Sequence, residues 1–131
     1  MNRPRVLLAD DHPHFAEAET AFLKPLFDVL GTAPDGAALV AEALRLDPDV
    51  VVTDISMPRL SGIEAVHRLR ELGSRAKIVF LTVHSDEEFV TACLQVGALG
   101  YVHKAHMKTS LIPAIEAALA GRSYLSLSRP H

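Results

Sequence analysis

Asp54 closes the run Asp49-Val50-Val51-Val52-Thr53-Asp54, an acid at the end of an apolar, β-branched stretch where packing offers it no role. Other apolar runs end the same way. Asp10-Asp11 follow Val6-Leu7-Leu8-Ala9, Thr82 ends Lys77-Ile78-Val79-Phe80-Leu81-Thr82, and Lys104 follows a short stretch from Gly100 to His103. Uninterrupted, Val-rich runs suit strands buried on both faces of a parallel sheet. Ligands of such sheets bind in the crevice outside the carboxyl ends of the strands. In the strand order 2-1-3-4-5 the first and third strands are neighbours, which brings Asp10 or Asp11 beside Asp54. Two unit charges about 5 Å apart, at an effective dielectric of about 20, repel by roughly 3 kcal/mol. Such a cluster needs a cation. Lys104 is one; a hard divalent ion such as Mg²⁺, held by carboxylates, phosphate oxygens and water, is another.

The elements that must carry these residues alternate along the chain. Pro13 begins an amphipathic helix with Phe15, Ala18, Phe22 and Leu23, ended by Pro25, and Val29 to Ala33 form a weak second strand. Asp35-Gly36 opens a helix through Leu39, Val40, Ala43, Leu44 and Leu46, which Asp47-Pro48 stops. Ser61-Gly62-Ile63-Glu64 has capping-box spacing ahead of a helix that Gly73 terminates. Ser85-Asp86-Glu87-Glu88 repeats that spacing before a helix with Phe89, Cys93 and Leu94. The last helix carries Leu111, Ile112, Ile115, Ala118 and Leu119, with Pro113 expected in its first turn and Gly121 as its stop. Five strands alternating with five helices define a doubly wound α/β domain with a flavodoxin-like parallel sheet.

Asp10-Asp11, Asp54, Met57-Pro58, Gly62, Thr82 and Lys104, in this order and spacing, resemble the receiver domain of bacterial response regulators, from about Arg5 to Gly121. That resemblance implies that Asp54 accepts a phosphoryl group from a histidine kinase. It implies that Asp10, Asp11, Asp54 and the backbone carbonyl of Ser56 hold Mg²⁺, and that Thr82 and Lys104 bind phosphoryl oxygens. It also makes Tyr101 a switch aromatic, moving from an exposed to a buried rotamer as the Thr82 hydroxyl is drawn inward. Two positions depart from the family pattern. Val83 stands where a small residue is usual and would narrow access to Asp54; Ala105 follows Lys104 where a cis proline is common. Ser56 and His84 occupy positions that tune phosphoryl lifetime in the family.

Residues 1–121 are read as the receiver, and 122–131 as the start of a linker resembling the junction in NarL/FixJ-type regulators, whose receivers lead into a LuxR-type DNA-binding domain. Any DNA contact is expected through such an output domain, and a homodimer through the first and last helices is a family-level expectation. Composition narrows the alternatives. A net charge of -3 with no basic block argues against a nucleic-acid surface. Cys93, the lone cysteine, forms no internal disulfide and suits a reducing cytoplasm, and no apolar stretch reaches the length of a signal peptide or membrane span. The seven histidines suggest no zinc site: His12 and His14 flank Pro13 at the rim, and His103 and His106 bracket a strand end. A haloacid-dehalogenase-like phosphatase would need an acid where Ser56 stands, and a dinucleotide-binding domain a glycine-rich turn where Asp10-Asp11-His12-Pro13 stands. The competing function is a pseudo-receiver that only binds partner proteins, with Val83 blocking the acceptor.

Overall fold

The computed structural model describes residues 2–127. Its strands are β1 (Arg5–Ala9), β2 (Asp28–Ala33), β3 (Val50–Thr53), β4 (Lys77–Thr82), β5 (Gly100–His103) and β6 (Tyr124–Ser126). Its helices are α1 (Pro13–Leu23), α2 (Gly36–Leu46), α3 (Gly62–Glu71), α4 (Glu87–Gln95) and α5 (Met107–Leu119), with a single 3₁₀ turn at Lys104–His106 ahead of α5. All strand pairs are parallel, in the order β2-β1-β3-β4-β5-β6. The expected doubly wound sheet is present, extended by one strand.

The period-2 pleat sorts the central strands between two cores. Val50 and Val52 of β3 join Val6, Leu8, Val79, Leu81 and Val102 under Leu23 of α1 and Leu111, Ala114 and Ile115 of α5. Val51 points the other way, with Leu7, Ile78, Phe80 and Tyr101, under Leu39 of α2, Val66 and Leu69 of α3, and Cys93 of α4. Burial on both faces is why these strands read as continuous apolar runs. It also pushes the Cys93 thiol up to about 12, so that thiol is protonated and unreactive at neutral pH.

Local signals set most element ends. Asp35 caps α2 by accepting from Ala38 N–H at 2.8 Å. Ser61 and Glu64 close the expected capping box on α3, and Gly73 follows that helix with φ 87°.

Four expectations need correction. Helix α4 starts at Glu87 with Asp86 as N-cap, so Ser85 lies one residue too early for the second capping box, and Asp86 makes no side-chain cap bond. Glu87 and Glu88 in its first turn face the positive helix end instead. Pro113 lies in the interior of α5, not its first turn, because the 3₁₀ turn lets the helix begin at Met107 and bury Met107, Ser110 and Leu111. In α1 the buried face is Ala16, Glu19 and Leu23, and Ala18 is exposed. The segment read as linker contributes β6, whose Tyr124 N–H bonds Leu99 C=O at 2.8 Å and whose Ser126 hydroxyl meets Ser110 and His106. At three residues it is shorter than the runs by which strands are read, and it lies beyond a helix stop. The remainder of that segment, residues 128–131, lies outside the described residues.

Candidate functional site

Asp10, Asp54 and Lys104 leave the carboxyl ends of β1, β3 and β5 and meet at one point. The Lys104 ammonium lies 2.8 Å from Asp10 Oδ2 and 2.9 Å from Asp54 Oδ2, with all three side chains at most 9% exposed. The lysine also sits 4.4 Å from the Phe15 ring centroid, a cation–π contact from α1. Burial alone would lower the Lys104 pKa. Hydrogen bonds to Asp10 and Asp54 and their negative charges outweigh it and hold the ammonium above its ordinary value. Asp54 Oδ1 accepts the Ile55 N–H at 2.7 Å, so both its oxygens have fixed partners.

Asp11 lies on the open side. His12 donates from Nδ1 to Asp10 Oδ1 at 2.9 Å and lies 3.1 Å from Asp11 Oδ1, while its backbone N–H bonds Asp10 Oδ1 at 2.9 Å. Ligand atoms of Asp10, Asp11, His12 and Asp54 all fall within 4.8 Å of one another, close enough to surround one cation. Carboxylate-rich donors of this kind fit a hard divalent ion. The pocket over Asp54, of about 560 Å³, is lined by Asp11, His12, Phe15, Ser56, His84 and Lys104. Val83 stands on that rim, 60% exposed, and lines the pocket together with Asp54.

The remaining candidates lie around this centre. The Ser56 hydroxyl hydrogen-bonds His84 Nε2 at 2.8 Å across the pocket mouth, and the His84 ring packs 4.4 Å from Phe89. Thr82 is fully buried, and its hydroxyl accepts the His84 N–H at 3.2 Å; it touches none of the carboxylates. Tyr101 is fully buried behind it and donates to the His84 carbonyl at 2.6 Å. The ring occupies a buried rotamer in this structure. A carbonyl on the β4–α4 loop gives its hydroxyl a partner, and β6 covers strand five, which is no edge. Tyr101→Phe should cost about 0.5–1.5 kcal/mol and raise amide exchange around His84, read by denaturant melts and hydrogen exchange. Unchanged loop protection would show the bond to be incidental.

The Lys104–Ala105 peptide is trans, as is every other bond among the described residues. Ala105 N–H donates to His103 Nδ1 at 3.0 Å, a bond that a proline at 105 could not make.

Gly62 explains itself through this site. A Cβ there would stand 1.9 Å from the Asp54 carbonyl oxygen, and the Gly62 N–H bonds Ile55 C=O at 2.7 Å. Gly62→Ala should therefore displace the Asp54 backbone, costing roughly 1–3 kcal/mol. Equal stability by chemical denaturation would contradict the close packing.

Glu19 of α1 is a residue that sequence reasoning missed. It is 1% exposed, on the helix face turned to the sheet, and its pKa is raised well above the carboxylate range by burial first, then by Asp10, with Lys104 opposing and Asp54 adding. The signal was present: Ala16, Glu19 and Leu23 share helical spacing. A folded-state pKa above the unfolded one gives stability that is complete below the unfolded value and lost as pH rises through the folded one. Glu19→Gln should remove this loss, raising Tm at neutral pH by roughly 4 °C per kcal/mol recovered and leaving the acid end unchanged. A pH–Tm profile parallel to wild type would refute it.

Fold and site together define a doubly wound α/β domain with a buried lysine bridging two strand-end aspartates in an acidic pocket. Residues 6–116 match the sequence profile of the response regulator receiver domain. The chain is 40% identical over 121 residues to the transcriptional regulatory protein YxjL of Bacillus subtilis, covering 91% of this chain and 56% of that protein. It is 35% identical over 123 residues to the nitrate/nitrite response regulator NarL of Escherichia coli, covering 92% and 57%. Among solved structures, a LuxR-family two-component response regulator from Aurantimonas superposes with a TM-score of 0.87 at 34% identity, covering 93% of this chain and 89% of that one. The receiver domain of a Mycobacterium tuberculosis NarL superposes at 0.88 with 29% identity, covering 93% and 100%. This chain belongs to the response regulator receiver domain family, on its NarL/FixJ branch. It spans about half the length of the curated relatives it matches.

Proposed function

We propose that Asp54 accepts a phosphoryl group from a sensor histidine kinase in a Mg²⁺-dependent reaction, and that this modification controls a transcriptional output. The observation that carries this proposal is the shared ammonium: Lys104 holds Asp54 and Asp10 at 2.9 and 2.8 Å beside an open acidic pocket. Transfer joins an Asp54 carboxylate oxygen to phosphorus as the bond from phosphorus to the donor's histidine nitrogen breaks. Such transfers have loose transition states, so positioning and charge stabilisation supply most of the catalysis. Asp10, Asp11, Asp54 and the Ser56 backbone carbonyl would hold Mg²⁺, whose charge offsets the repulsion between acceptor and donor. Lys104 supplies a point charge for a phosphoryl oxygen, and the Ile55 N–H keeps the carboxylate oriented. The domain catalyses its own modification, as a cytoplasmic signalling module.

The readout follows from the contacts around His84. A Thr82 hydroxyl that turns to a phosphoryl oxygen releases the His84 N–H, while Tyr101 still holds the His84 carbonyl. The β4–α4 loop and the outer surface near β5 then change together, a local charge event with a two-state element. DNA recognition belongs to an output domain of the kind the longer relatives carry, and a homodimer through α1 and α5 is one form of the response. A binding-only pseudo-receiver gains no support from the exposed Val83 rim. Incubation with a small acyl-phosphate donor should add one phosphoryl mass with Mg²⁺ present and none with chelator. A mass unchanged in both would favour the binding-only module.

A further inference from the structure

Strand β6 shields Tyr101 on a flank that would otherwise be a sheet edge. It pairs with β5 over three positions only: Gly100 with Tyr124, Tyr101 with Leu125 and Val102 with Ser126. Side chains alternate across a strand. Tyr124 packs on the core under α5, whereas Leu127 packs on the opposite core, the one that holds Tyr101. Leu125 is in register with Tyr101 and has the parity of Leu127, so it stands beside the ring on that second face. The ring is fully buried, and a rotamer swung toward the sheet edge would meet Leu125.

The same strand is fastened to elements that reach the acceptor. The Ser126 hydroxyl lies 2.9 Å from Ser110 Oγ and 3.1 Å from His106 Nδ1. His106 ends the 3₁₀ turn that begins at Lys104, whose ammonium holds Asp54. A second route runs from the Tyr101 hydroxyl to the His84 carbonyl, and from the His84 N–H to the Thr82 hydroxyl. A Thr82 hydroxyl drawn to an occupied Asp54 leaves room behind it for the Tyr101 ring. That favours the buried rotamer and with it the docked strand. A three-residue edge strand with Leu125 half exposed belongs to the low-stability end of a fold, so it opens while the rest stays folded.

We propose that β6 is a strap coupled to the acceptor site: occupation of Asp54 tightens it over Tyr101, and an open strap weakens that occupation. The proposal rests on the reading of Asp54 as acceptor and adds to it a moving part, the segment after α5. Linkage makes the coupling reciprocal, so both directions carry the same factor.

The test uses beryllium fluoride with Mg²⁺ as a mimic of the acyl phosphate on the full chain, its binding followed by fluorine NMR. Backbone hydrogen exchange, read by mass spectrometry, reports the strap. In wild type the bound probe should slow exchange of the β6 amides at least about fivefold. Tyr124→Pro removes the N–H that bonds Leu99 and so opens the strap. It should weaken probe binding by the factor measured in wild type, with circular dichroism checking the fold. Ser126→Ala, which loses only the hydroxyl bonds, should show a smaller loss of the same sign. Bound probe with unchanged or faster β6 exchange would overturn the proposal and leave the acceptor reading intact. So would wild-type affinity in a folded Tyr124→Pro chain. No bound probe in wild type would remove the acceptor reading and the coupling with it.

Discussion

Lys104→Met should destabilise the domain by roughly 3–5 kcal/mol, the usual cost of removing one member of a buried ion pair and leaving its partner uncompensated. Two partners are stranded here. Asp10 and Asp54 share the ammonium at 2.8 and 2.9 Å and are 4% exposed or less, so neither has bulk water to fall back on. Methionine keeps most of the length and volume of the lysine side chain, which isolates the loss of charge from the loss of volume. The deficit should shrink when Mg²⁺ is added, because an ion in the pocket replaces part of the missing positive charge. Chemical denaturation with and without Mg²⁺ checks both statements. A variant as stable as wild type in chelator would mean that the lysine is not what neutralises the pocket.

Asp54→Asn has the opposite profile, with full loss of phosphoryl transfer and no loss of fold. The amide keeps the size of the carboxylate but has no nucleophilic oxygen comparable to it, so no acyl phosphate forms. Lys104 retains its bond to Asp10, so no buried charge is orphaned. Stability should therefore stay within about 1 kcal/mol of wild type, since one negative charge leaves a crowded acidic site as one charged hydrogen bond is lost. Intact-mass analysis with the acyl-phosphate donor and Mg²⁺, beside a thermal melt, separates the two effects. Modification of a folded Asp54→Asn chain would move the acceptor to another residue.

Why so much of this was legible follows from where the chemistry sits. The Val50–Val52 run shows a buried parallel strand, and a parallel sheet sends its carboxyl ends to one edge, so the order of the strands alone brings Asp10 to Asp54. The Ser61–Glu64 box and Asp35 cap were likewise visible, being local bonds encoded within four residues. What escaped depends on contacts between distant segments. The β6 strand exists because Leu99 and Ser110 offer it partners, and Glu19 is buried because α1 turns that face to the sheet. Nothing in the local sequence fixes the rotamer of Tyr101 either, since its partner is a loop carbonyl seventeen residues earlier.

Chemical mapping of the acceptor tests the central claim most directly. Wild-type chain treated with the acyl-phosphate donor and Mg²⁺ is reduced with borohydride, which converts an aspartyl phosphate to homoserine, and is then sequenced by mass spectrometry. The account predicts homoserine at position 54 alone, and only when Mg²⁺ was present. Homoserine at 10 or 11, or an equal yield at 54 in chelator, would contradict it.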